Sequence, residues 1–75
     1  QEAMVRGMVD GLDARLKKNP GDANGWIMLM RSRMQLGERQ KAAQALNDGL
    51  AAFRNDTETS RRLREAAATL GISPA

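Results

Sequence analysis

The sequence has no cysteine and no histidine among its 75 residues. It can form neither a disulfide nor a thiolate metal site, and it lacks the side chain that most often serves as general base or metal ligand near neutral pH. Its only aromatic residues are Trp26 and Phe53. Proteins that bind single-stranded nucleic acids usually stack the bases on aromatic side chains, so this composition argues against such binding. No apolar run reaches the roughly 18 residues of a membrane span. We therefore expect no enzyme, no metal or other cofactor, and no spanning helix.

The charge of the chain is modestly positive. Twelve Lys and Arg stand against nine Asp and Glu, which gives a net charge of +3. This balance favours an acidic or amphipathic partner and keeps a nucleic-acid binder as a remote alternative. The cluster of Arg61, Arg62 and Arg64 is shorter than a basic nucleic-acid arm. The length allows one domain over residues 1–75, and because the chain starts with Gln1 we expect a piece of a longer protein.

Apolar residues recur every three or four positions along the chain, which predicts an all-α fold. Asp22 is the expected N-cap of the second helix, and Asp56 or Thr57 is expected to cap the fourth. Gly37 and Gly71 are the expected left-handed residues at two helix ends. The predicted helices, about four in number, span residues 3–18, 23–36, 38–53 and 57–70.

The sequence also matches itself at an interval of 34 residues. The matches fall on core leucines, a helix cap and a helix stop: Leu12 and Leu46, Leu16 and Leu50, Asp22 and Asp56, Leu29 and Leu63, Leu36 and Leu70, Gly37 and Gly71. A period of about 34 with two helices per period is typical of tetratricopeptide (TPR) repeats. The motif residues are Trp26, Leu29, Ala42 and Leu46, whereas Arg33 stands where the motif has an aromatic. We predict antiparallel helix pairs of a TPR solenoid.

Side chains that do not pack inward form the predicted binding surface. In TPR arrays the first helix of each repeat lines the concave groove, and this assignment comes from the resemblance to TPR proteins. Apolar, amide and arginine side chains on such a surface suit an amphipathic helix or a peptide that carries carboxylates. The predicted contact residues are Asn24, Ile27, Met28, Arg31 and Gln35 from the second helix, and Glu58, Arg61, Arg62 and Glu65 from the fourth.

The two end helices are expected to lack a neighbour on one side. A solenoid piece that begins with a second helix leaves apolar faces unpaired at its ends. We therefore expect Val5, Val9 and Leu70 to be partly exposed, or covered by a neighbouring molecule. Self-association through these helices is the corresponding expectation.

Two acidic residues, Asp10 and Asp13, lie three positions apart and so share a helix face. Arg6 and Lys17 lie at helical spacing from them, which predicts surface ion pairs and not a catalytic pair of carboxylates. The five methionines are expected to fill core or interface positions and not to bind metal.

A narrower resemblance begins at residues 4–16, Met-Val-Arg-Gly-Met-Val-Asp-Gly-Leu-Asp-Ala-Arg-Leu. This stretch resembles the segment that opens the TPR region of the CcmI/CycH family of cytochrome c-type biogenesis proteins. Arg33 departs from the family pattern, which usually has an aromatic after the Arg-Ser pair. The resemblance continues to about residue 56 through Asn19-Pro20, Asp22, Gly25-Trp26, Leu29, Arg31-Ser32 and Leu36-Gly37.

The resemblance implies a function. Members of the family are anchored in the bacterial inner membrane and present TPRs to the periplasm. There they hold apocytochrome c, chiefly through its C-terminal helix, for the haem-ligation proteins. The implied role of this chain is a periplasmic, chaperone-like protein-binding module without chemistry of its own. A TPR scaffold for another protein assembly is the alternative.

Overall fold

The computed structural model describes residues 2–74 and folds them into four α-helices, with no strand in that part of the chain. The helices are α1 (Glu2–Lys18), α2 (Ala23–Gln35), α3 (Arg39–Ala52) and α4 (Thr57–Leu70). Each begins and ends within one residue of its predicted bounds. α2 packs against all three other helices, and α4 packs against α2 and α3. The predicted all-α, TPR-like architecture is confirmed.

The loops before α2 and α4 end in the same kind of cap. The Asp22 side chain accepts a hydrogen bond from the Gly25 backbone N–H at 2.9 Å, and Asp56 accepts one from the Thr59 backbone N–H at 3.0 Å. Each bond satisfies a donor that has no partner within the first helical turn. Hydrogen bonds from the Thr59 backbone and hydroxyl lower the pKa of the Asp56 carboxyl. The predicted cap at Asp22 is confirmed, and of the two residues predicted for α4, Asp56 is the cap.

The turns after α2 and α4 also share one conformation. Gly37 and Gly71 have φ angles of 75° and 77°, in the left-handed region that favours glycine. The next residue in each turn, Glu38 or Ile72, donates its N–H to the carbonyl five residues earlier at 2.8 Å. This bond satisfies a carbonyl of the last helical turn. The interval of 34 residues is therefore also a repeat of backbone geometry.

The core lies between α2, α3 and α4. Trp26 is buried, and its indole N–H donates to the Pro20 carbonyl at 2.9 Å, so that its one polar group is satisfied. All four predicted motif residues are buried: Trp26, Leu29, Ala42 and Leu46. The largest fully buried side chains are those of Trp26, Leu29, Met30, Leu46 and Leu63.

α2 and α3 approach each other closely where Gly49 faces Trp26. A Cβ atom at position 49 would lie 3.2 Å from Trp26 Cγ and 3.2 Å from Leu63 Cδ1. These separations are shorter than an ordinary carbon–carbon contact. Glycine at this position therefore lets the indole lie across α3 and reach Leu63 of α4.

The end helices match the predicted exposure only in part. Val5 is 45% exposed and Leu70 is half-buried, as predicted, but Val9 is buried. Val9 lies seven residues before the buried Leu16, and residues seven apart share a helix face. That face packs against α2, so the prediction for Val9 was wrong.

Candidate functional site

The exposed face of α2 carries three of the predicted contact residues, Asn24, Arg31 and Gln35. Their spacing of seven and four residues places them on one face of the helix. Ile27 is half-buried and packs against the core, so it is less exposed than these three residues. It lies three residues before the fully buried Met30, at the border between the buried and exposed sides of α2.

The residues predicted on α4 form a polar edge beside this face. Arg61 pairs with Glu58 and, at 2.7 Å, with Glu65. The hydrogen bond to Glu58, together with the charges of both glutamates, raises the pKa of Arg61. Arg62 donates a hydrogen bond to the Asn24 side-chain oxygen at 2.7 Å and so links α4 to α2. We call Asn24, Arg31, Gln35, Glu58, Arg61, Arg62 and Glu65 the polar rim.

Met28 lies on the exposed side of α2, beside the α2 residues of the polar rim and toward α1. It is 55% exposed and lines an open groove of about 420 Å³ between the two helices. The other lining side chains are mostly apolar, with one arginine among them. We call this the apolar groove, and it is lined by Val5, Met8, Val9, Leu12, Arg15, Met28 and Ser32. The sequence predicted Met28 as a contact residue, but it did not identify the groove.

An ion cluster connects α1, α2 and the turn before α3. Arg33 is only 3% exposed, and its guanidinium lies 2.9 Å from Asp10, 3.2 Å from Asp13 and 2.9 Å from Glu38. Burial alone would lower the pKa of Arg33, but its hydrogen bonds to the three carboxylates outweigh burial and raise it. The hydrogen bond from Arg33 lowers the pKa of Glu38. We call these four residues the Arg33 cluster.

The Arg33 cluster corrects the prediction for Asp10 and Asp13. Lys17 pairs with Asp13 at 3.1 Å, as predicted. Arg6 pairs with other carboxylates, and the predicted surface pairing of Asp10 is replaced by its bond to Arg33 of α2. The signals in the sequence were an arginine at the aromatic position of the motif and two aspartates on the preceding helix. Only the packing of α1 on α2 brings them together.

Two further features of residues 2–74 concern metals and membranes. Met28 is exposed whereas Met30 is fully buried, so these two thioethers lie on different sides of α2. His, Cys, Asp and Glu side chains do not gather into a metal-binding group in the described part of the chain. No helix within it combines the length and apolar character that crossing a membrane requires.

Comparison with known proteins gives two close matches. The chain is 47% identical over 70 residues to the cytochrome c-type biogenesis protein CycH of Bradyrhizobium diazoefficiens, and the match covers 93% of this chain. It is 46% identical over 72 residues to the CycH protein of Rhizobium meliloti, which covers 96% of the chain. No family model and no solved structure matches the chain.

The chain spans 19% of the length of each CycH protein that it matches. Within that span the similarity extends through all four helices, beyond residue 56, where the resemblance in the sequence fades. The resemblance to the CcmI/CycH family is therefore confirmed, and the chain is a CcmI/CycH-like region.

Proposed function

We propose that this region serves c-type cytochrome maturation as a TPR protein-binding module. It holds apocytochrome c, through an amphipathic helix near the C terminus of that protein, for the haem-ligation proteins. The module works at the periplasmic face of the bacterial inner membrane, as part of a membrane-anchored parent, and has no chemistry or cofactor of its own. Both relatives are cytochrome c-type biogenesis proteins, which supports the maturation role.

The observation that carries this proposal is the exposed face of α2. On this face, residues of the polar rim lie beside Met28 of the apolar groove. Arg31 is exposed and has no carboxylate within 4.0 Å among the described residues, so its charge is available to a partner. Amides at Asn24 and Gln35 flank it. A helix with an apolar stripe toward Met28 and a carboxylate toward Arg31 would satisfy both kinds of surface.

A calorimetric titration of the 75-residue chain tests this proposal. The ligand is a C-terminal helix peptide of a c-type cytochrome, and a scrambled peptide of equal charge is the control. We expect selective binding that Arg31→Ala weakens about tenfold, because a charge-assisted hydrogen bond contributes about 1.5 kcal/mol. The matched control is Arg64→Ala, which removes an exposed arginine outside the polar rim and should change the affinity less than twofold, or about 0.4 kcal/mol.

The same titration separates the alternatives. Equal binding of the native and scrambled peptides would contradict the cytochrome assignment and favour a TPR scaffold for another assembly. A second titration uses nucleic acid as the ligand. Binding that depends steeply on salt concentration would favour the nucleic-acid alternative. Loss of binding in Arg64→Ala but not in Arg31→Ala would place the site on α4 instead of α2.

A further inference from the structure

The apolar groove leaves one face of α1 without a protein neighbour. Met8 is 69% exposed, and Leu12 is only half-buried. A helix face of this composition normally lies against another element. The internal repeat of the chain shows which kind of element fits there.

Positions on α1 correspond to positions 34 residues later on α3. Met8 corresponds to Ala42 and Leu12 to Leu46, and both of these α3 residues are buried. They share a face of α3 with Gly49, and this face packs against α2 where Trp26 lies. The exposed face of α1 is therefore the counterpart of the face on which α3 receives α2.

The second wall of the groove gives the same result. Ser32 of α2 corresponds to Ala66 of α4, which packs against the core. Met28 corresponds to Arg62, whose side chain contacts Asn24 of the neighbouring α2. A helix in the apolar groove would thus touch α1 as α2 touches α3, and would touch α2 as α2 touches α4.

Arg15 sets the chemistry of that helix near its first turn. It corresponds to Gly49, where Trp26 packs against α3 at 3.2 Å from a Cβ position. An arginine leaves no room there for an indole, and it has no carboxylate within 4.0 Å among the described residues. A carboxylate in place of the indole would pair with Arg15 and would also suit the first turn of a helix.

We propose that the apolar groove receives one further amphipathic helix, which is supplied by a longer polypeptide that contains this chain. This helix runs antiparallel to α1, as α2 runs to α3, and carries a carboxylate opposite Arg15. Because the chain spans 19% of each CycH relative, a polypeptide of that length has ample sequence to supply the helix. The proposal concerns assembly of the repeat and does not depend on the proposed cytochrome ligand.

The face of α4 that corresponds to the α3-facing side of α2 lacks this apolar character. Ser60 stands at the position of Trp26 and Arg64 at the position of Met30. Arg64 is exposed, whereas Met30 is fully buried. The apolar contact that would hold another helix is thus available at α1 and not on this side of α4.

A fusion tests the proposal. A copy of residues 20–37 that carries W26E is placed directly before Met4, which holds the position of Glu38 in the repeat. The readout is peroxide oxidation of single methionines by mass spectrometry, with the buried Met30 of the original α2 as internal reference. We expect oxidation of Met8 and of the original Met28 to slow about tenfold, which corresponds to about 1.4 kcal/mol of docking free energy.

The control fusion carries L29D and M30D in the copied helix and should give no protection. Unchanged oxidation of Met8 in the W26E fusion, with Met30 still protected, would overturn the proposal. Equal protection by a copy that keeps its tryptophan would overturn the carboxylate assigned opposite Arg15. Protection of Met8 in the unfused chain at high concentration would overturn the proposal in favour of a second copy of the chain.

Discussion

The turn after α2 and the turn after α4 have the same backbone, but different side chains close them. Arg33 and Glu38 form an ion pair across the first turn at 2.9 Å. Ala67 and Ile72 occupy the corresponding positions in the second turn, and both belong to the buried apolar core. A single backbone geometry therefore accepts either a charged or an apolar closure.

The preceding helices differ in the matching way. Asp10 and Asp13 of α1 bind Arg33, whereas the corresponding residues of α3 are Gln44 and Asn47. Carboxylates are thus present where the arginine is present, and neutral amides stand where it is absent. The three carboxylates compensate the buried guanidinium of Arg33, so loss of Arg33 leaves all three without their shared cation. The comparison indicates that these four positions form one unit.

The largest expected effect follows from breaking the charged closure. Arg33→Ala should lower the free energy of unfolding by about 3 kcal/mol, the lower end for a broken buried ion pair, because Asp10 is largely exposed. Urea denaturation followed by Trp26 fluorescence measures the change. Arg39→Ala, at an exposed position of α3, should change it by less than about 0.5 kcal/mol. Equal effects of the two substitutions would contradict a special role of Arg33.

A smaller but more specific effect is expected from converting the first closure into the second. The variant D10Q/D13N/R33A/E38I should regain about 2 kcal/mol relative to R33A alone, because uncharged side chains then replace the three carboxylates that shared Arg33. The same urea titration measures the difference. A sum of the four single effects without coupling would show that these positions do not act as a unit.

A closely packed glycine of α3 and an open glycine of α1 should respond in opposite ways to the same substitution. Gly49→Ala would place a Cβ 3.2 Å from Trp26 and Leu63 and should destabilise by about 1 kcal/mol, after the gain in helix propensity is subtracted. Gly7→Ala meets nothing within 4 Å and should stabilise by about 0.8 kcal/mol. Thermal unfolding by circular dichroism measures both, and equal signs would contradict the close packing assigned to Gly49.

The Arg33 cluster should also make the contact between α1 and α2 sensitive to acid. Arg33 lowers the folded-state pKa of Glu38, so the resulting stabilisation is complete above the unfolded pKa of about 4.3 and is lost as the pH falls through the folded value. Hydrogen exchange of α1 should accordingly rise in that range before exchange of α4. The fourfold variant should lose this difference, and its persistence there would assign the acid sensitivity to other groups.

Local rules were sufficient for the helices and their ends. The caps at Asp22 and Asp56 and the turns at Gly37 and Gly71 follow from short-range chemistry, and each was predicted to within one residue. The exposure of Arg31 follows from the phase of α2. These features depend on residues within one or two turns of each other.

Features that depend on the placement of one helix against another were missed. The burial of Val9 and the partners of Arg33 depend on the register of α1 on α2, and the apolar groove depends on the distance between these helices. The burial of Ile72 depends on the direction of the chain after Gly71. Spacing in the sequence defines a helix face but not the neighbour of that face.

The attachment of α1 to α2 as its one extensive neighbour has a consequence for rates. We expect α1 to dock after α2, α3 and α4 have formed the core around Trp26, because α1 packs extensively on α2 alone. Interactions that form late in folding affect the unfolding rate and leave the folding rate nearly unchanged. Loss of Arg33 would therefore act mainly on the rate at which α1 leaves, and limited proteolysis would begin in α1 before it reaches the other helices.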